Sequence, residues 1–293
     1  MTIIEAIIQG IIQGLTEFLP ISSSGHLALY QYFTGQGGET GALFSLVLHL
    51  GTLIAVFIAF WGTIRPLIVE FFAMLRDLFT GRIDWKRPNA KRRMIFLLIV
   101  SLLPLGVTFL VKDPVRAVAA DNDIIVEGIC FIVTGVLLMF ADRCVKGRHN
   151  ARDMSYRGAL VIGAAQAVAP LPGISRSGST LSMGLLLGLD QKFAVSFSFI
   201  MGIPAVAGAI LLDAKELVGG GLQIPLPALI AGLITSAVFG IIAIGMVRWL
   251  VMGEKLRYFS YYTLILGSAV TVAGIYEVIS NHHLQAVVSA LFH

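Results

Sequence analysis

The stretch that decides the fold is QGLTEFLPISSSGH, which runs from Gln13 to His26. It places a carboxylate, a proline, three consecutive hydroxyls, a glycine and an imidazole between two apolar segments, Ile3–Ile12 and Leu27–Phe33. Ionisable side chains are energetically costly inside a membrane, so where they occur in such an apolar sequence a functional role is the default explanation. Neither apolar arm reaches the about 20 residues of a membrane span. The stretch therefore predicts a re-entrant helical hairpin, which is tolerated where it is buried in protein or lines a cavity.

A second stretch, QAVAPLPGISRSGST from Gln166 to Thr180, repeats this pattern. A shift of 153 positions places Gly10, Gln13, Ile21, Ser22, Ser24 and Gly25 on Gly163, Gln166, Ile174, Ser175, Ser177 and Gly178. The same shift places Ser23 opposite Arg176. The chain is therefore expected to consist of two related halves, each with one broken, hydroxyl-rich loop.

The composition is that of a membrane protein. Of the 293 residues, 57% are hydrophobic and 13% are charged, and the mean hydropathy is +0.87, whereas a soluble domain carries about a quarter charged residues. No short apolar segment with a cleavage site precedes the first helix, so we expect that helix to belong to the mature protein. The basic residues lie between apolar segments, which argues for a membrane orientation signal and against a nucleic-acid partner.

The apolar segments predict six spanning helices besides the two hairpins. The spans are expected at Ala42–Trp61, Met94–Val111, Ile124–Ala141, Phe193–Leu212, Pro227–Val247 and Phe259–Ile279. The arms of the second hairpin are expected at Gly158–Ala169 and Ser177–Leu189. Pro66–Phe79 predicts an interfacial amphipathic helix, and Thr34–Gly41 predicts a loop. The predicted fold class is an all-α integral membrane protein with a single polytopic domain over 1–293.

The positive charges predict the orientation of these spans. Lys and Arg number eight in Arg65–Arg93, five in Arg143–Arg157 and three in Arg248–Arg257, whereas the alternate loops together hold three. The basic loops are therefore expected in the cytoplasm and both termini outside it. Because each span crosses the membrane once, the first hairpin is then expected to enter the membrane from the outside and the second from the inside. Such an inverted repeat, of about 1–141 and about 158–280, typically has its site near the bilayer midplane.

The two loops combine groups that suit phosphoryl chemistry. Serine turns flanked by glycine at helix N-termini expose backbone N–H groups, which favour anions. The planar guanidinium of Arg176 matches phosphate oxygens. Glu17 and His26 are candidate acids, bases or metal ligands, and the hydroxyls of residues 22–24 offer a nucleophile or phosphate ligands. In a membrane, this combination indicates phosphoryl chemistry on a lipid.

The first stretch, together with PGISRSGST from Pro172 to Thr180, resembles the motifs of the bacterial undecaprenyl pyrophosphate phosphatase family, which is also known for bacitracin resistance. The resemblance covers essentially the whole chain. It implies removal of one phosphate from the C55 isoprenyl pyrophosphate carrier, which recycles this lipid for cell-wall synthesis. It also implies a divalent cation (Mg²⁺ or Ca²⁺) as cofactor, a place in the bacterial inner membrane, and an active site that opens toward the periplasm.

The resemblance also assigns roles to residues. Glu17, Ser23, His26 and Arg176 correspond to catalytic positions, with Ser23 as the nucleophile. The expected phosphate-binding residues are Ser22, Ser24, Gly25, Ser175, Ser177 and Thr180. Gln13 stands where many relatives carry glutamate, and with Glu17 it is the candidate metal ligand. Because an amide binds a divalent cation more weakly than a carboxylate does, the substrate pyrophosphate is expected to supply more of the ligands.

Each candidate also has a structural explanation. Glu17 could end its helix against loop N–H groups, and His26 could hydrogen-bond the turn. Arg176 could be a salt-bridge partner of Glu17, and Thr180 could cap a helix. His49 is expected to be a buried, hydrogen-bonded histidine. Peripheral or inert roles are expected of Glu5, Asp121, Asp123, Cys130 and Cys144.

Two functions stay open in the sequence. A secondary transporter or lipid translocase with a midplane site would suit the inverted repeat as well as a phosphatase does. The co-occurrence of a base, hydroxyls and an arginine favours hydrolysis. Ser23 is the expected attacking group with His26 as its base, while attack by His26 or by water stays open. The metal, the lipid chain length and the oligomeric state, a homodimer included, are also left open.

Overall fold

The computed structural model describes residues 1–36, 38–82, 88–108, 123–144, 147–219 and 224–292. Over these ranges the regular structure is helical, apart from one isolated bridge between His149 and Leu189. The helices are α1 Ile3–Phe18, α2 Ser23–Thr34, α3 Gly38–Ala59, α4 Trp61–Phe79, α5 Ala90–Leu102, α6 Leu105–Thr108, α7 Ile125–Asp142, α8 Tyr156–Ala167, α9 Arg176–Leu186, α10 Gln191–Gly219, α11 Leu226–Met252, α12 Leu256–Ile279 and α13 His283–Phe292.

Four helices in the described ranges, α7, α10, α11 and α12, are long and apolar enough to cross a membrane. They coincide with four of the predicted spans. Helices α3 and α4 pass the same test only as a pair, and they meet at an angle of 88°. This architecture and the apolar composition confirm the prediction of an all-α integral membrane protein.

The sharp bend before α4 separates the predicted span Ala42–Trp61 from the predicted amphipathic helix. Two side chains at the start of α5 hold the polar side of α4: Arg92 donates to Glu70 at 3.0 Å and to Asp77 at 2.8 Å, and the capping Asn89 donates to Glu70 at 3.0 Å. Apolar side chains on the rest of α4 are exposed, among them Phe72 and Phe79. This division into a polar and an apolar side is the one predicted for Pro66–Phe79.

Three predicted boundaries are wrong. The segment Met94–Val111 is not one continuous helix, because α5 ends at Leu102 and Pro104 cannot continue its hydrogen bonds. The segment Thr34–Gly41 is not all loop, since α2 includes Thr34 and α3 begins at Gly38. The basic loop expected up to Arg93 ends earlier, because Asn89 caps α5 and places its first residues in the helix. The loop between the predicted spans Met94–Val111 and Ile124–Ala141, which contains Asp121, lies outside the described residues except for Asp123.

Small residues bring α1 close to α11. A side chain on Gly10 would lie 2.9 Å from the carbonyl oxygen of Gly232, and one on Gly14 would lie 2.6 Å from that of Ser236. Close backbone approach at small residues is the usual way in which helices pack in membranes. Helix α7 packs against α12 in the same manner at Gly128. Gln13 and Glu17, which α1 also carries, are buried in the fold.

The C-terminal helix α13 connects α12 to α2. The buried carboxylate of Glu277 accepts the backbone N–H groups of Leu284 at 2.7 Å and Gln285 at 3.0 Å, and the hydroxyl of Tyr32 at 3.1 Å. A carboxylate at a helix N-terminus satisfies unpaired N–H groups. Helix α13 was not among the predicted elements, and its contacts join it to α2, the helix that follows the first loop.

Candidate active site

Two pairs of short helices, α1 with α2 and α8 with α9, each break at a loop where the sequence predicted one. Pro20 follows α1, and Ser22 adopts a left-handed φ of 70° before α2 begins. Gly173 has a φ of 95° in the second loop, a conformation that favours glycine. A serine in the left-handed region is uncommon, and such backbone outliers cluster at functional sites.

The two loops are built by the same local hydrogen bonds. The hydroxyl of Ser22 accepts the N–H of Gly25, and the hydroxyl of Ser175 accepts the N–H of Gly178 at 3.0 Å. In each case a serine caps the helix that follows the loop. Ser24 and Ser177 take the next equivalent places, since each lies within hydrogen-bonding distance of the capping serine of its own loop.

The loops also contact each other. The Ser22 hydroxyl donates to the carbonyl of Ile174, and the Ser177 hydroxyl donates to the carbonyl of Leu19, both at 3.3 Å. A side chain on Gly25 would lie 2.9 Å from Cα of Gly173. Three of the predicted phosphate-binding residues, Ser22, Gly25 and Ser177, therefore hold the two loops together. The N-termini of α2 and α9 meet here, and both favour an anion.

Glu17 is the centre of the polar cluster. Its side chain is buried and accepts hydrogen bonds from Ser23 at 2.6 Å and from Gln13 at 3.0 Å, both to Oε2. Its other oxygen, Oε1, forms an ion pair with Arg176 of the second loop. The carboxylate is therefore held by side chains and not by loop N–H groups. The predicted proximity of Ser23 and Arg176 is realised through this shared carboxylate.

Arg176 has one nitrogen committed and one available. Its Nη2 pairs with Glu17, whereas Nη1 is buried and has no hydrogen-bond partner among the described residues. Helix α10 makes room for the guanidinium at Gly202, where a Cβ atom would overlap it. An unpaired buried donor is costly, so an arriving acceptor at this point would be favoured.

His26 is not in contact with Ser23, contrary to the expectation that it serves as the base of that serine. Its Nδ1 lies 2.7 Å from the carbonyl oxygen of Ser22, and its Nε2 lies 2.7 Å from the hydroxyl of Tyr262. The ring stacks on Tyr262 with centroids 5.7 Å apart and meets Phe131 edge-on. Both ring nitrogens therefore have other partners, and the ionisable group that Ser23 contacts is the Glu17 carboxylate.

Thr180 is engaged in helix packing. Its hydroxyl lies 2.5 Å from that of Ser198 on α10 and donates to the carbonyl of Arg176 at 2.9 Å. The side chain is buried. Thr180 therefore does not cap a helix as expected, because Ser175 caps α9 and Thr180 lies inside it. Its contacts fix the first turn of α9 beside Arg176, which begins that helix.

Among the residues expected to be peripheral, Glu5 forms a capping box with Thr2, and Asp123 accepts the N–H of Ile125. Cys130 and Cys144 are free thiols. Sequence reasoning missed a role for His49, whose Nε2 lies 3.7 Å from the Glu17 carboxylate. No pattern in the sequence could have shown this contact, because the two residues lie on different helices.

The arrangement can support nucleophilic substitution on an anionic group. A hydroxyl is hydrogen-bonded to a carboxylate that can take its proton, and a guanidinium is available to neutralise charge. Within the described part of the chain, no group of three or more His, Cys, Asp and Glu side chains could hold a metal. The oxygen acceptors that a cation would find here are the Glu17 carboxylate and Oε1 of Gln13, which is buried and has no hydrogen-bond partner in the described part of the chain.

Comparison with known proteins gives the family. The model described as bacitracin resistance protein BacA matches residues 6–269. The undecaprenyl-diphosphatase of Methanosphaera stadtmanae is 40% identical over 271 residues, which are 91% of this chain and 96% of that protein. The undecaprenyl-diphosphatase of Alkaliphilus metalliredigens is 40% identical over 272 residues, 92% of this chain and 98% of that protein. With both loops and their carboxylate, serine and arginine in place, the chain belongs to the bacitracin resistance protein BacA family.

Proposed function

We propose that this protein is a membrane phosphatase that hydrolyses undecaprenyl diphosphate to the monophosphate and phosphate, and so recycles the lipid carrier for cell-wall synthesis. The observation that carries the proposal is the contact of Ser23, Glu17 and Arg176 across two loops inside a membrane protein. The relatives named undecaprenyl-diphosphatase span nearly the whole chain and support it.

In the first step, Oγ of Ser23 attacks the terminal phosphorus and transfers its proton to Oε2 of Glu17, which lies 2.6 Å away. The bond from that phosphorus to the bridging oxygen breaks, and the lipid monophosphate leaves with the bonding electron pair. In the second step, water hydrolyses the phosphoserine, which releases phosphate and restores Ser23. Glu17 is placed to move a proton in both steps.

Arg176 and the helix N-termini stabilise the phosphoryl group. The partnerless Nη1 and the Nη2 that now binds Glu17 together form a planar fork for two phosphate oxygens. When Glu17 accepts the serine proton it becomes neutral and releases its hold on the guanidinium. The same proton transfer thus increases the positive charge available to the phosphoryl group.

A divalent cation fits this site in part. Glu17 and the orphaned amide oxygen of Gln13 would hold it, and Mg²⁺ commonly takes only one or two protein ligands beside substrate phosphates and water. When bound, it would polarise the phosphoryl oxygens and offset their charge. At residue 13 the cation would meet a neutral amide in place of a second carboxylate.

We expect Gln13→Glu to raise the affinity for the divalent cation by roughly tenfold without abolishing turnover, because a hard cation gains more from a second carboxylate than from an amide. The measurement is phosphate release as a function of Mg²⁺ or Ca²⁺ concentration after chelator treatment. Gln166→Glu, at the equivalent place of the other half, is the matched control. An unchanged metal dependence of the Gln13 variant would place residue 13 outside the metal shell.

For the architecture we propose six spans and two re-entrant hairpins in an inverted repeat, with the site open to the outside of the inner membrane. The charge distribution supports this orientation, since the loops around Arg65–Arg93 and Arg143–Arg157 are the most basic. The short helices of both hairpins support the re-entrant form, because none of α1, α2, α8 and α9 reaches the length of a span.

We expect a cysteine at Arg152 to be protected from a membrane-impermeant thiol reagent in intact cells, and one at His283 to be labelled. Both side chains are exposed, and the proposed topology places them on opposite sides. Cys130 and Cys144 are removed first, and both variants should react after lysis. Labelling of the Arg152 variant in intact cells contradicts the orientation.

The function is tested by phosphate release from purified protein given C55 diphosphate. We expect release that depends on an added divalent cation and that falls sharply in Glu17→Gln, which keeps the side-chain shape but cannot take a proton. Protein in sealed vesicles that moves the lipid across the bilayer without releasing phosphate would instead identify the translocase.

A further inference from the structure

His49 lies on α3 and borders the centre of the site. Its Nε2 is 3.7 Å from Oε2 of Glu17. The His49 side chain is 28% exposed and that of Glu17 is 7% exposed, so the imidazole is the more accessible of the two groups. The reaction proposed above gives His49 no role.

The orientation of the imidazole is determined by a backbone contact. Nδ1 lies 2.7 Å from the carbonyl oxygen of Ser45. A carbonyl oxygen only accepts, so Nδ1 carries the proton, and in the neutral ring Nε2 presents a lone pair toward Glu17. Metal-ligating histidines are usually held in this way, with the other ring N–H donated to a backbone carbonyl or a carboxylate.

The distance between the two side chains suits shared ligation. At 3.7 Å, Nε2 and Oε2 are too far apart for a hydrogen bond. Ligand atoms of one divalent cation are separated by about 3 to 4 Å, because each lies about 2.0 to 2.5 Å from the ion and neighbours subtend roughly 90° to 120°. The amide nitrogen of Gln13 donates to the same Oε2 at 3.0 Å, which holds the amide group beside the carboxylate.

An independent observation comes from Gln13. Its side chain is fully buried, and Oε1 has no hydrogen-bond partner among the described residues. A buried amide oxygen without a partner is costly, and a cation would remove that cost.

We propose that His49 is a metal ligand through Nε2 and that it completes, with Glu17 and Gln13, the protein part of a divalent-cation site. This inference rests on the proposed function, since the diphosphate of the substrate supplies further ligands. A nitrogen ligand favours transition-metal ions such as Mn²⁺ or Co²⁺ over Ca²⁺, relative to a site made of oxygen alone. The site therefore accepts ions beyond the hard cations that the two residues of α1 would select.

The test detects the ligand directly. Purified protein receives Mn²⁺ and methylenediphosphonate, which supplies phosphonate oxygens but is not hydrolysed, and electron spin echo spectroscopy measures coupling to imidazole nitrogen. We expect this coupling in the wild-type protein, its loss in His49→Gln, and its retention in His26→Gln as the matched control. We also expect His49→Phe to weaken Mn²⁺ binding at least tenfold, and Ca²⁺ binding less.

Two results would overturn the inference: nitrogen coupling that persists in His49→Gln, or bound Mn²⁺ in the wild-type protein without any such coupling. Size-exclusion chromatography and thermal unfolding establish that the variants are folded. If one of the two His49 variants does not fold, the other is enough for the test. Phosphate release distinguishes failure of the role proposed for His49 from failure of the proposed function. Normal release without nitrogen coupling contradicts only the role of His49, whereas no release from the wild-type protein contradicts the proposed function.

Discussion

Arg176→Lys is expected to lower kcat by about 100-fold or more while the protein remains folded. The lysine keeps the positive charge and can still pair with Glu17, but an ammonium group cannot bind two phosphate oxygens in one plane. The structure sharpens this expectation, because one guanidinium nitrogen is already engaged with Glu17, while Nη1 is buried and meets no hydrogen-bond partner in the described ranges. Lysine offers no equivalent of that second nitrogen.

The measurement is phosphate release from C55 diphosphate under saturating cation. Arg152→Lys, at an exposed position far from the loops in sequence, is the control for the substitution itself and should behave like the wild-type protein. If a folded Arg176→Lys protein turns over within about threefold of the wild-type rate, the fork is not required. Arg176 would then act as a point charge.

Ser23→Ala is expected to have the largest effect, a loss of about 1,000-fold or more in kcat, because it removes the attacking atom. Ser23→Cys should retain a trace of activity, since a thiol can attack phosphorus in the same position. Ser24→Ala is the matched control one residue along the chain. Its hydroxyl contacts that of Ser22 and not the carboxylate of Glu17, so we expect a change of a few-fold at most.

A Ser23→Ala protein within about tenfold of the wild-type rate would contradict attack by serine. In that case water would be the attacking group, with Glu17 as its base. Attack by His26 would require the imidazole to leave the contacts that it makes with the Ser22 carbonyl and the Tyr262 hydroxyl. The Tyr262→Phe variant tests that requirement, because it removes one of the two contacts without changing the shape of the ring.

The centre of the site was predictable because its residues belong to two similar motifs. The shift that relates the halves places Ser23 opposite Arg176, and the structure joins them through Glu17. The loops were predictable as well, since Pro20 and Gly173 mark the breaks by known backbone preferences.

The partners of the histidines were not predictable. His26 contacts Tyr262 of α12, and His49 faces Glu17 of α1, so both contacts depend on how distant helices pack. Three-residue spacing between Ser23 and His26 favoured a contact that the backbone carbonyl of Ser22 and the Tyr262 ring prevent. Only tertiary packing determines such choices among several available partners.

The break in the predicted span Met94–Val111 had a local signal that hydropathy concealed. Pro104 lies inside a continuous apolar segment, and the average hydrophobicity of a segment does not register one missing N–H group. Helix α13, by contrast, had no local signal in the sequence. It follows a long apolar helix with few distinguishing residues, and its attachment depends on the buried carboxylate of Glu277, whose contacts appear only in the fold.

The central claim, that Ser23 attacks phosphorus with Glu17 as its base, is tested most directly by trapping the phosphorylated enzyme. C55 diphosphate labelled in its terminal phosphate is mixed with purified protein, and the reaction is stopped with acid within the first turnover. We expect acid-stable label on the peptide that contains Ser23, and none in Ser23→Ala, because phosphoserine survives acid. An acid-labile, base-stable label that disappears in His26→Ala would contradict the claim, as would phosphate released in the first turnover without any label on the protein.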